Sequence, residues 1–240
     1  IQVMEAPTPV SALLHAGVVN LGGFVLIRLA PLIDASPAAR TLLVIVGGAT
    51  AAVAGLVMLT RVTIKVRLAW STCSQMGFMI MECGLGLYDL ALLHLLAHSL
   101  YKAHAFLTAG EAVRDALARQ MMGCTNARAQ MPVWSPALAL SLSAAINAGL
   151  AAGWQWAADL PSPPWIATAL ASVGLATLLW PPGGTSKPNT RSALMLLAGA
   201  HVYLGWHWFA QATGHLSSAN TPPLLAACSL GLIAGLYLAQ

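Results

Sequence analysis

The sequence predicts an all-α protein, a polytopic bundle of helices that crosses the bilayer about eight times. Hydrophobic residues make up 58% of the 240 positions and charged residues only 8%, whereas a soluble domain carries about 25% charged residues. Mean hydropathy is +0.74. Eight apolar windows approach the roughly 20 residues that a helix needs to cross a bilayer. The net charge of +4 is small and its basic residues are scattered, so the partner is expected to be the lipid bilayer and not nucleic acid.

The eight windows alternate with polar or proline-containing segments. Prolines stand at the starts of several windows, where the missing N–H costs little because it would lack an intrahelical partner anyway. The predicted windows are about 9–31, 41–60, 66–84, 89–110, 133–156, 164–181, 192–211 and 222–239.

The loop charges predict an orientation. Eight basic residues lie in alternate loops, against two in the opposite loops, as the positive-inside rule requires of cytoplasmic loops. We therefore expect a multi-pass protein with both visible ends in the cytoplasm. The eight are Arg61, Lys65, Arg67, Arg114, Arg119, Arg128, Lys187 and Arg191, and the two are Arg28 and Arg40.

The chain divides by character into three parts. Buried ionisable residues are expected in residues 1–113, a polar cytoplasmic connector in 114–132, and plainer, Trp-rich spans in 133–240. The first residues lack an initiator Met and begin inside a motif, which indicates part of a longer protein.

The fourth window carries the most informative pattern. His94, His98 and Lys102 are spaced i, i+4, i+8, so they share one helix face and form a stripe about 12 Å long. Titratable groups at membrane depth are costly and mark ion routes, unless internal partners satisfy them in an inert core. Histidine changes its charge near neutral pH. The pattern favours a proton or cation relay over inert packing, and over a metal site, which has no supporting carboxylate nearby.

Other windows offer further candidates. His15 lies early in the first window after two prolines, where an irregular backbone is expected. Glu82 ends the third window, where it either takes part in the relay or reaches the interface. Lys65 begins that window and can extend its ammonium group to the interface.

The four cysteines show no metal-binding or disulfide pattern. None forms a CxxC pair, so small buried thiols are expected. No metal, cofactor or catalytic residue is predicted within this chain, which is expected to conduct ions and not to be an enzyme.

Three sequence blocks resemble one superfamily. MEAPTPVSALLHAGVVNLGGFVLIR (4–28), KVRLAWSTCSQMGFM (65–79) and LALLHLLAHSLYKAHAFLTAGEAV (90–113) are similar to proton-conducting membrane subunits of respiratory complex I and Mrp antiporters. Those subunits carry the patterns E-x-PTPVSALxHA, K-x-x-LAYSTxSQ-G and HLxxHAxFKAxLFL in the same order. The resemblance covers about the first 113 residues.

The resemblance implies roles for individual residues. His15 matches the histidine of the first block and Lys65 the lysine of the second. His94, His98 and Lys102 match the two histidines and the lysine of the third. In the family these residues belong to the proton pathway, and the lysine is part of a central polar axis.

The second half of the sequence differs from complex I and Mrp subunits. Those subunits carry another buried lysine in a later span, and residues 133–240 have none. The short C-terminal part after the third block and the sequence segment MECGLGLY are more similar to the DabB family. Members of that family are membrane subunits of inorganic carbon accumulation complexes. That resemblance implies a place in the bacterial inner membrane. It also implies a cytoplasmic DabA-like partner whose zinc site is similar to that of β-carbonic anhydrase and which is energised by ion flow through the membrane subunit. Two alternatives remain open: a subunit of an Mrp-type antiporter or complex I relative, and a structural anchor that only docks an enzyme.

Overall fold

The described part of the chain is helical. The computed structural model describes residues 6–111, 114, 118, 121, 135–158, 163–179, 190–213 and 222–238. The helices are α1 Thr8–Leu13, α2 Asn20–Arg28, α3 Ala30–Asp34, α4 Pro37–Leu59, α5 Ile64–Gly84, α6 Tyr88–Leu107, α7 Ser135–Ala158, α8 Trp165–Leu179, α9 Thr190–Thr213 and α10 Pro223–Leu238, with a π-helical segment Leu14–Val18 between α1 and α2.

Helices occupy all eight predicted windows, so the all-α prediction is confirmed. Three of the described helical stretches are long and apolar enough by themselves to cross a membrane: Thr8–Arg28, Pro37–Leu59 and Ser135–Trp156. Helices α5 and α6 fill the predicted windows that carry Glu82 and the titratable stripe. The chain forms two compact units, Ile1–Ala127 and Arg128–Gln240. Most of the predicted connector, 114–132, lies outside the described residues, and the three-part division stays a prediction.

The first window is an interrupted helix. Pro7 and Pro9 stand at the beginning of α1, where proline is well tolerated. The irregularity comes further on, at Leu14–Val18, where the amide of Val19 donates to the carbonyl of Leu14, five residues back, at 3.1 Å. Such π segments occur frequently at functional sites. The expected irregular backbone is therefore present, but it surrounds His15 and does not coincide with the prolines.

The turn between α5 and α6 is fixed by a glycine. Gly86 has φ of 78°, a conformation that residues with a Cβ adopt at a cost. The amide of Leu87 donates to the carbonyl of Glu82 at 3.0 Å and that of Gly86 to Cys83 at 3.0 Å, which is a Schellman ending. The turn therefore places the last residues of α5 beside the first turns of α6.

Helices α4 and α5 pack with their backbones in close contact. A Cβ at Gly77 would lie 2.6 Å from the amide nitrogen of Ala51 and 2.8 Å from the carbonyl of Gly47. Ser74 Oγ donates to the carbonyl of Ala51 at 2.9 Å. Small residues allow this approach between membrane helices, where packing replaces the hydrophobic effect. Helix α5 in turn packs against α6.

The second unit, α7 to α10, packs around small and apolar side chains. Ala139, Leu179 and Leu196 are almost fully buried and form its core cluster. Ser143 Oγ donates to the carbonyl of Ser172 at 2.8 Å and so joins α7 to α8. Polar bonds of this kind contribute modestly to helix association in membranes.

Candidate functional site

Lys102 is the most deeply buried charged side chain of the predicted stripe. It lies on α6 with 0% of its surface exposed. Its Nζ donates to Ser71 Oγ at 2.8 Å and to the carbonyl of Leu68 at 3.3 Å, both on α5. An ammonium group has three donors, and these two acceptors hold the head group against α5.

His98 lies one turn before Lys102 on the same helix. It is 3% exposed, and neither ring nitrogen has a hydrogen-bond partner among the described residues. Its ring centroid is 6.4 Å from that of His94, with the two rings edge to face. The predicted stripe thus faces inward at both His98 and Lys102.

Glu82 and His94 form a buried pair. Glu82 is 1% exposed, and its Oε2 lies 2.9 Å from Nδ1 of His94. Phe78 contacts the same imidazole, with ring centroids 5.3 Å apart. Glu82 therefore lies in the protein interior, and its depth relative to the membrane interface stays a prediction.

His15 lies in the π segment and packs against α6. Its ring stacks on Phe106 with centroids 4.8 Å apart and planes 10° from parallel. Its Nδ1 is buried without a hydrogen-bond partner in the described ranges. Phe106 follows Lys102 by about one turn on α6. The interrupted helix thus brings a third histidine to the stripe.

Lys65 lies apart from the stripe, at the start of α5. Its Nζ donates to the carbonyl of Ala6 at 3.0 Å, ahead of α1. It also lines a pocket of about 590 Å³ together with residues of the α4–α5 loop and the end of α6. Lys65 therefore lies at the end of α5 that is predicted to be cytoplasmic, and the other five candidates lie further along α5, on α6 or in the π segment.

Several polar residues of this interior were not singled out by the pattern of titratable groups. Ser71 holds Lys102, and Asn20 bonds to Ser99. The signal was weak, because serine and asparagine are ordinary in helices that pack in membranes. The same interior also contains buried polar side-chain atoms that have no hydrogen-bond partner among the described residues. They belong to Ser11, Asn20 and Gln75.

The described residues contain no group of three or more His, Cys, Asp or Glu side chains arranged to hold a metal ion. The arrangement consists of a buried amine, three imidazoles and one carboxylate on neighbouring helices. Such groups can exchange protons and contact cations.

The main feature of this interior is a broken helix that packs against a helix with buried titratable side chains. The chain belongs to the family described as NADH:quinone oxidoreductase/Mrp antiporter, transmembrane, which it matches over residues 1–155. It is accordingly a multi-pass membrane protein.

Among curated relatives, inorganic carbon transporter subunits are prominent. The chain is 55% identical over 177 residues to the probable inorganic carbon transporter subunit DabB of Hydrogenovibrio crunogenus, which covers 71% of this chain and 32% of the relative. It is 46% identical over 209 residues to subunit DabB2 of Halothiobacillus neapolitanus, covering 87% and 37%. It is also 47% identical over 111 residues to NADH-ubiquinone oxidoreductase chain 5 of Metridium senile, covering 46% and 18%. The chain thus spans about a third of the length of the DabB relatives with which it aligns most extensively.

Proposed function

We propose that this chain forms an ion-conducting part of the membrane subunit of an inorganic carbon uptake complex, for CO2 or bicarbonate. Protons or cations pass along its titratable interior, and their flow energises a cytoplasmic partner. The similarity to DabB subunits supports the carbon substrate, and membership of the antiporter family supports ion translocation. The observation that carries the proposal is the fully buried Lys102, which Ser71 holds and which shares its helix face with His94 and His98.

The proposed route follows α6 from its predicted cytoplasmic end. Lys102 lies nearest that end, His98 one turn further, His94 two turns further, and Glu82 beside His94. In this proposal His15 joins the route from the π segment, at the level of Phe106. Lys65 lies at the cytoplasmic mouth. Lys102 changes its protonation as ions pass, and the histidines exchange protons with it.

Water completes the proposed route. Buried polar atoms in proteins almost always have hydrogen-bond partners, supplied by protein or by ordered water. Within the described residues, polar atoms of Ser11, His15, Asn20, Gln75 and His98 are buried without one. Water molecules would satisfy these atoms and would also carry protons between side chains too far apart for direct transfer.

The partner in this proposal is a cytoplasmic, DabA-like subunit that contains zinc and hydrates CO2. Its support is the resemblance to the DabB family alone. Catalysis takes place in that partner, and this chain supplies the driving force through ion flow.

Growth at ambient CO2 tests the proposal. The full-length chain carrying Lys102→Ala is expected to assemble with its partner but to lose CO2-dependent growth rescue of a host that lacks carbonic anhydrase. His104→Ala is the matched control, because His104 is on the same helix but exposed, and it should rescue as the wild type does. Normal rescue by a variant with His94, His98 and Lys102 all neutralised would contradict conduction and favour a structural anchor.

A second candidate is a subunit of an Mrp-type antiporter or a complex I relative. The 47% identity to NADH-ubiquinone oxidoreductase chain 5 over 111 residues favours it. Copurification separates the two: a zinc-containing soluble partner supports the carbon transporter, whereas several further membrane subunits support the antiporter.

A further inference from the structure

Asn20 connects two segments that each carry a titratable side chain. Its Nδ2 donates to the carbonyl of Ala16 at 2.8 Å and to Oγ of Ser99 at 2.6 Å. Ala16 directly follows His15, and Ser99 directly follows His98. One side-chain amide thus joins the neighbour of the first histidine to the neighbour of the second.

The first bond lies in the irregular part of the backbone. In the π segment the hydrogen bonds reach back five residues, as between Val19 and Leu14, which interrupts the regular helical ladder. The Asn20 amide donates to the carbonyl of Ala16 within this segment and so adds a side-chain bond that stabilises the widened turn carrying His15.

The Ser99 end of the Asn20 bridge is also fixed by a hydrogen bond. Ser99 Oγ donates its own hydrogen to the carbonyl of Leu95 at 2.9 Å, so a lone pair of the same oxygen accepts from Asn20. Asn20 is only 5% exposed. A buried amide with both hydrogens assigned to fixed acceptors has little freedom to move.

We infer that Asn20 and Ser99 are positioning residues of the ion route, and that their bridge fixes the π segment with His15 against the helix with His98. The inference rests on the proposed function. Transfer between groups is steeply sensitive to geometry, because a misplacement of about 1 Å can cost roughly 100-fold in rate. Neither residue is itself titratable, so the bridge acts through the histidines that it holds.

The test compares Ser99→Thr with Ser99→Val, which differ only by a hydroxyl in place of a methyl group. Each variant of the full-length chain, purified with its associated subunits, is reconstituted into vesicles, and ion flux is measured per amount of folded protein. Ser74→Val is the matched control, because it removes another interhelical serine bond, that to Ala51. Lys102→Ala tests the proposed function in parallel.

We expect Ser99→Val to lower flux by about tenfold or more, Ser99→Thr to retain it, and Ser74→Val to leave it unchanged. Asn20→Asp, which keeps the size but lacks the N–H donors, should lower flux as Ser99→Val does. The inference is overturned if Ser99→Val conducts as well as Ser74→Val, or if Asn20→Asp conducts normally, while Lys102→Ala does not conduct. Wild-type flux through Lys102→Ala would instead overturn the proposed function, and the inference with it.

Discussion

The carboxylate of Glu82 lies 2.9 Å from Nδ1 of His94, twelve positions further along the chain. The Gly86 turn makes this contact possible, because it folds α6 back along the last turn of α5. The pair ends the proposed route on the side opposite Lys65. An isolated buried carboxylate would be costly, so the imidazole is an integral part of keeping Glu82 inside.

We predict that Glu82 and His94 are energetically coupled. In a double-mutant cycle of Glu82→Gln and His94→Gln, the free energies of unfolding should deviate from additivity by about 0.5–3 kcal/mol. Equilibrium unfolding of the purified protein in detergent measures the four variants. Additivity within about 0.3 kcal/mol would show that the contact contributes nothing.

Lys102 and Ser71 should also depend on each other. Ser71→Val removes an acceptor from a buried ammonium group, which should lower the free energy of unfolding by about 1.5–3 kcal/mol. In a Lys102→Met background the same change should have little effect, because no buried charge remains to be satisfied. Thermal unfolding of the single and double variants checks this, with Ser74→Val as the control on the same helix. An equal loss in both backgrounds would contradict the assigned hydrogen bond.

Replacing Gly77 or Gly22 of the first unit by alanine should change the free energy of unfolding in opposite directions. Gly77→Ala places a Cβ against two backbone atoms of α4, and overpacking of this kind should cost about 1–3 kcal/mol. Gly22→Ala meets no atom within 4 Å, so helix propensity should make it stabilising by up to about 1 kcal/mol. Unfolding free energies measure both. Similar effects of the two substitutions would be inconsistent with the close α4–α5 approach.

Arg40 should stabilise the end of α5. Its Nε donates to the carbonyl of Gly84 at 3.2 Å and its Nη2 to that of Leu85 at 3.0 Å. Arg40→Leu leaves these helix-end carbonyls without those donors and should cost about 1–3 kcal/mol. Arg28→Leu, at an exposed position, is the control for loss of charge. If the two variants unfold at the same temperature, the Arg40 hydrogen bonds do not contribute to stability.

The sequence predicted the helices and the inward stripe because both follow from local rules. Apolar length defines a span, and i, i+4, i+8 spacing puts His94, His98 and Lys102 on one face whatever the tertiary structure. The bonds from Lys102 to Ser71 and from Asn20 to Ser99 join residues 31 and 79 positions apart. Such pairings depend on how the helices pack, and no local pattern specifies them. For the first window the sequence predicted only an irregular backbone near the prolines, not a π segment at His15. Proline can be read directly from a sequence, whereas a widened helical turn has no such signature.

The most direct test of the account is ion flux through Lys102→Met. The full-length chain with its associated subunits is reconstituted into vesicles, an ion gradient is imposed, and flux is followed for wild type, Lys102→Met and His104→Ala. Methionine has a similar volume without the charge, so folding should be preserved. The account predicts that Lys102→Met loses flux to the level of empty vesicles while His104→Ala retains it; equal flux in all three proteins would contradict it.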